Sequence, residues 1–172
     1  MSDDTALPRA SQPTGACLFD GQPAVHLRSP AGAQATVLLH GAHVVSWIPA
    51  LGEEQLYLSP TSALGGTAAV RGGVPVIFPQ FNQQGPLPKH GFARNRAWAL
   101  QEATVRGEHA FAVLRLDADE ATRAIWPHGF ALEMTVSVDA RRLEMELAVI
   151  NTGDSTIDFQ AALHTYLRCG DV

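Results

Sequence analysis

The stretch Phe130-Ala-Leu-Glu-Met-Thr-Val-Ser-Val138, followed by Asp139-Ala-Arg-Arg142 and Leu143-Glu-Met-Glu-Leu-Ala-Val149, decides the fold class. Phe130, Leu132, Met134, Val136 and Val138 are apolar at every second position, with Ala131, Glu133, Thr135, Ser137 and Asp139 between them. Leu143, Met145, Leu147 and Val149 repeat the pattern against Glu144, Glu146 and Ala148. Side chains of an extended strand alternate between two faces, so a period of two puts one apolar row on a core and leaves the other row to water. The short link between the runs allows an antiparallel return, and the pair reads as a hairpin.

Working outward, residues 97–105 and 110–116 form a second pair around Arg106-Gly-Glu108, and 118–126 is the one helix candidate, stopped by Pro127. Upstream, 34–39 and 43–48 are β-branched and apolar, and His40-Gly41-Ala42 between them is a tight turn. A short strand over 55–58 stops at Ser59-Pro60. Residues 59–96 hold Gly65, Gly66, Gly72, Gly73, Pro75, Pro79, Gly85, Pro86, Pro88 and Gly91, a density that predicts shaped loops apart from a brief strand over 74–78. A last strand is predicted over 155–167. Such short strands with almost no helix predict an all-β fold, a mostly antiparallel sandwich or barrel. Residues 1–16 read as a loose lead-in, and the final strand runs into Arg168-Cys-Gly-Asp-Val172 without a closing element, so the expectation is an incomplete β domain over 17–172, which the resemblance below makes the N-terminal part of a single β-sandwich domain.

The 172 residues carry 12 basic and 17 acidic side chains, a formal charge of −5, and 46% are hydrophobic. That composition supports a real core and excludes wholesale disorder. Net acidity without a Lys/Arg run argues against nucleic-acid binding. No segment approaches a membrane span and no leader pattern opens the chain, so the expectation is a cytoplasmic protein with no membrane partner. Cys17 and Cys169 have neither disulfide-framework nor metal spacing. Nothing in the pattern speaks to oligomeric state.

Charge is distributed unevenly. Between Gln55 and Gln101 there is no Asp or Glu, yet Arg71, Lys89, Arg94 and Arg96 all lie there, a local +4 inside an acidic chain. Guanidinium forks and glycine-rich turns both suit one small anion. The plainer reading is a solvated basic rim. Of the seven histidines, His26, His109 and His128 read as structural, while His40 and His43 would be metal ligands only if a carboxylate joined them, and a small metal-dependent β-barrel using His40, His43 and His90 is a further alternative. His164 is different: alternation over 156–167 places it with Asp158, Gln160, Ala162 and Tyr166, away from the packed row of Ile157, Phe159, Ala161, Leu163 and Thr165. It is a candidate general acid, with a hydrogen-bonded structural histidine as the alternative. Trp47 and Phe81 are candidates to line a ligand pocket, each with a core role as the alternative.

Three ordered motifs now carry a resemblance: Arg71-Gly-Gly-Val-Pro-Val-Ile-Phe-Pro-Gln-Phe81, then Leu87-Pro-Lys-His-Gly-Phe-Ala-Arg-Asn95 with Trp98, and Ala162-Leu-His-Thr-Tyr166. With Gly41-Ala-His-Val-Val-Ser-Trp47, they resemble the hexose-6-phosphate 1-epimerases of the aldose 1-epimerase, or galactose-mutarotase-like, superfamily. The resemblance runs from about residue 20 to the end of the chain. It implies a large antiparallel β-sandwich that interconverts α and β anomers of a hexose phosphate without metal or organic cofactor. It implies His164 as the acid that protonates the ring oxygen, His90 as the histidine that holds the sugar near C1, and Arg71 and Arg94 as substrate-binding arginines. Lys89, where the family often has Gln, would meet phosphate as a point charge. The family's catalytic glutamate lies well beyond the histidine motif, whereas this sequence stops eight residues after His164. Asp158 and Glu54 are the local carboxylates to weigh in its place, and a non-catalytic sugar-phosphate-binding module is the alternative function.

Overall fold

The computed structural model describes residues 12–64 and 69–170. The first four strands, β1 (Gly15–Phe19), β2 (Gln22–Arg28), β3 (Gln34–Leu38) and β4 (His43–Ile48), form one antiparallel sheet in chain order. β5 (Val76–Ile77) is a two-residue strand in the Gly/Pro-rich middle. The second large sheet holds β6 (Ala99–Arg106), β7 (His109–Asp117), β8 (Phe130–Val138) and β9 (Leu143–Asn151), again antiparallel and in chain order. Between β7 and β8 lies α1 (Glu120–Ile125), opened by Asp119, which accepts from the Thr122 backbone N–H while its own N–H donates to the Thr122 hydroxyl. This reciprocal cap lets so short a helix persist. β10 (Ala162–Leu163) pairs with β5.

The two sheets face each other through β2, which packs across β6, β7 and β8. Val25, Leu27, Val37 and Val44 from one sheet and Ala112, Leu114, Leu132, Met134 and Val136 from the other are buried in a single cluster. This is the core that the alternation in β8 and β9 predicts. The β8–β9 connection closes on Asp139, whose carboxylate accepts from the backbone N–H groups of Arg141 and Arg142. Phe78, fully buried directly after β5, meets Phe92, Trp126, Phe130 and Phe159 at centroid distances of 5.4–6.2 Å. That aromatic knot anchors the Gly/Pro-rich loops to the sandwich.

Three sequence readings need correction or addition. The strand expected over 55–58 is reduced to isolated bridges at Leu56 and Leu58. Of the strand expected over 155–167, only Ala162 and Leu163 form a ladder. The N–H groups of Gln160, His164 and Tyr166 donate to Pro79, Pro75 and Gly73, but the two prolines have no N–H to return. The segment is therefore extended yet half-bonded. Finally, β1 and β2 went unread because Ala24, Val25, His26 and Leu27 are all buried, so β2 shows no alternation, and Pro23 interrupts its start. β1 begins at Gly15, and residues 1–11 of the expected lead-in lie outside the described residues.

Candidate functional site

Arg71, Lys89, His90, Arg94 and His164 line one cleft of about 420 Å³, together with Ala69, Val70, Pro75, Ile77 and Tyr166. Three chain segments build it. Arg71 is set by a turn in which its N–H donates to the Ser62 hydroxyl and its carbonyl accepts from Ser59 N–H. Lys89 and His90 sit on a second turn, closed by Gly91 N–H donating to the Pro88 carbonyl. Gly91 has φ +69°, and a Cβ there would stand 2.1 Å from the Phe78 carbonyl oxygen, so glycine is what lets this turn lie against the core. Arg94 belongs to a 3₁₀ turn, Ala93–Asn95, and its guanidinium donates to the Lys89 carbonyl at 3.1 Å, tying one turn to the other. His164 arrives on the extended segment alongside β5.

The imidazoles are arranged in sequence. Phe81 packs edge-on against His90 at 5.3 Å, His90 edge-on against His164 at 6.0 Å, and His164 stacks on Tyr166 at 4.9 Å. Asn82 N–H donates to His90 Nδ1 at 3.1 Å, which fixes the neutral tautomer with its proton on Nε2. Burial first, then the charges of Arg94, Lys89 and His164, hold the His90 pKa below the ordinary value. Among the described residues, Nδ1 of His164 and Nε of Arg94 are buried without a hydrogen-bond partner. Burial lowers the Arg94 pKa against the opposing pull of Tyr166.

Other candidates lie elsewhere. Arg96, the fourth cation of the acid-free stretch, is not in the cleft; its charge acts on Asp119 at the mouth of α1. Glu54 accepts from the Ser46 hydroxyl and from the Trp47 and Leu56 N–H groups, and it lines a different cleft with Phe19 and Arg168. Asp158 lines another cleft with Trp126 and Phe159. Neither carboxylate stands beside His164, and among the described residues no Asp or Glu lines the His164 cleft. Trp47 packs against the core and Phe81 reaches the site only through His90. His43 is buried behind the cleft, and among the described residues no three His, Cys, Asp or Glu side chains gather as a metal-holding group.

Two contributors were not singled out from sequence. Tyr166 carries a signal, since it shares the His164 row at i+2. Gln80 does not: buried at 4% exposure, it donates to the Asn82 and Leu87 carbonyls and accepts from Leu87 N–H, holding the loop that presents Lys89 and His90. Only tertiary contact reveals that role.

The sequence pattern of the family described as aldose 1-epimerase matches residues 23–172. This chain belongs to the aldose 1-epimerase family. A relative from Salmonella typhimurium, provisionally named a glucose-6-phosphate 1-epimerase, is 39% identical over 142 residues, 81% of this chain and 46% of the relative. One from Cenchrus ciliaris with the same provisional name is 33% identical over 156 residues, 86% and 47% of the two chains. The crystal structure of a provisionally named mutarotase from Salmonella typhimurium matches with a TM-score of 0.78 at 34% identity, covering 92% of this chain and 52% of the other. The chain spans about half the length of the curated relatives it matches. Its antiparallel sheets share the fold of the matched part of that mutarotase structure. Among the described residues, no helix is long and apolar enough to cross a membrane.

Proposed function

We propose that this member of the aldose 1-epimerase family binds a hexose 6-phosphate in the His164 cleft and takes part in interconverting its α and β anomers. The observation that carries the reading is the convergence of Arg71, Lys89 and Arg94 with His90 and His164 in one cleft that no carboxylate lines among the described residues. Three cations without a local counter-charge suit a phosphate dianion, and arginine offers paired donors to its oxygens. With the phosphate gripped, the sugar ring lies over the two imidazoles in either anomeric form.

In ring opening, His164 gives a proton to the ring oxygen as the bond from C1 to that oxygen breaks, while a base removes the proton of the C1 hydroxyl to leave an aldehyde. Rotation about C1–C2 and reclosure on the other face return both protons. Matched transfer avoids a full charge on either oxygen. His90, with Nδ1 engaged by Asn82, has its Nε2–H free to donate to a hydroxyl near C1. The base belongs to the family's glutamate. A second reading, a sugar-phosphate-binding module without catalysis, is favoured by the same lack of a lining carboxylate.

NMR exchange spectroscopy on glucose 6-phosphate separates them. In a chain of the relatives' full length, which includes the region of the family's glutamate, acceleration of anomer exchange by the wild type but not by His164→Asn is the expected result. Binding without acceleration selects the module, and exchange at the wild-type rate in His164→Asn overturns the assigned acid.

A further inference from the structure

Behind the cleft, outside its lining, stands His43, the first residue of β4 and 1% exposed. Its Nε2 lies 2.7 Å from the carbonyl oxygen of Gly72, the residue after Arg71. A carbonyl only accepts, so Nε2 carries the hydrogen. Three successive carbonyls of the Arg71 turn are thus met by donors from three different parts of the fold: Arg71 by Ser59 N–H, Gly72 by His43 and Gly73 by Tyr166 N–H.

The Gly72–Gly73 pair makes this contact consequential. Both residues have positive φ, at +109° and +60°, and both backbones are pressed so closely that a Cβ on Gly72 would lie 2.3 Å from the Tyr57 carbonyl oxygen. A Cβ on Gly73 would lie 2.2 Å from the Val44 carbonyl oxygen and 2.9 Å from His43 Nε2. Two consecutive glycines are needed for that approach, but they also free the peptide between them to turn. The N–H of this peptide donates to the Tyr57 carbonyl at 2.7 Å and the buried His43 donor meets its carbonyl, so the two contacts together select one orientation, and with it the direction in which the Arg71 backbone leaves the turn.

We propose that His43 is a positioning residue that acts through Gly72 to hold Arg71 toward the anion end of the cleft. The proposal rests on the reading of Arg71 as a phosphate contact. It explains why an imidazole suits a place with His40 and Arg94 nearby: burial above all, against the opposing hydrogen bond to Gly72 and with those two charges adding to it, lowers its pKa to about 4, so it donates without adding a charge. A lysine would reach the carbonyl only by burying another cation.

The test is an NMR titration of the 172-residue chain with glucose 6-phosphate and, separately, glucose. His43→Leu keeps bulk but loses the donor; His43→Gln keeps an amide N–H at similar reach; His43→Asn, too short, replaces the leucine variant if that one does not fold. His43→Leu is expected to raise the Kd for glucose 6-phosphate about tenfold, to leave that for glucose within about twofold, and to be largely rescued in His43→Gln. Adding Arg71→Ala to His43→Leu then brings little further loss, as two residues acting on one contact should. If Arg71→Ala weakens glucose 6-phosphate but a folded His43→Leu does not, or weakens both sugars equally, the His43 proposal fails alone. If Arg71→Ala leaves glucose 6-phosphate binding unchanged, the anion reading fails and takes this proposal with it.

Discussion

The imidazole of His164 lies face to face with the ring of Tyr166, 4.9 Å between centroids and 29° between planes, while His90 meets the same imidazole nearly at right angles. Stacking of this kind contributes about 0.5–1.5 kcal/mol beyond area burial and fixes the ring plane. Protons over an aromatic face resonate upfield. The ring protons of His164 should therefore move downfield in Tyr166→Ala and stay in place in Tyr166→Phe; identical spectra in both variants would show that the rings do not stack.

Arg94 acts on its neighbours by charge as well as by its bond to Lys89. His90 is held low by burial first and by Arg94, Lys89 and His164 next, so removing one cation favours its protonated form. Arg94→Gln should raise the His90 pKa, read by NMR titration. The same variant should weaken glucose 6-phosphate about tenfold or more, since a charge-assisted contact is lost. A His90 pKa that stays put or falls would contradict the charge coupling.

Acid sensitivity follows from His43. Its pKa is near 6.5 unfolded and about 4 folded, so the unfolded chain binds more protons below pH 6.5, and stability falls from there down to about pH 4, then levels. Between pH 8 and pH 5 the loss from this group is about 2 kcal/mol. Urea melts of the wild type against His43→Gln should show the variant with the flatter pH dependence; parallel profiles would deny that His43 is the group responsible.

Two glycines with positive φ offer a paired test of close packing. Gly91→Ala meets the Phe78 backbone at 2.1 Å, whereas Gly107→Ala, at φ +58°, meets nothing within 4 Å. The first should cost about 2–5 kcal/mol, from strain plus overpacking, and the second about 1 kcal/mol from strain alone. Equal losses in denaturant midpoints would mean that the turn can move away from the core.

Much of this was already written in the chain. The β8–β9 hairpin, the β6–β7 pair, the β3–β4 turn and α1 follow from alternation, glycine breaks and a proline stop, all features of positions close in sequence. The motifs that resemble the family also supplied the cleft residues Arg71, Lys89, His90, Arg94 and His164, and the acid-free stretch independently marked the three cations. Tertiary structure decided the rest. It broke the last strand against Pro75 and Pro79, buried β2 on both faces, left Arg96 outside the cleft and gave Glu54 to three hydrogen-bond donors away from His164. It also set His43 behind Gly72. These outcomes depend on which backbones approach across the fold and which donors find acceptors there, and distances between remote segments leave no period in the sequence.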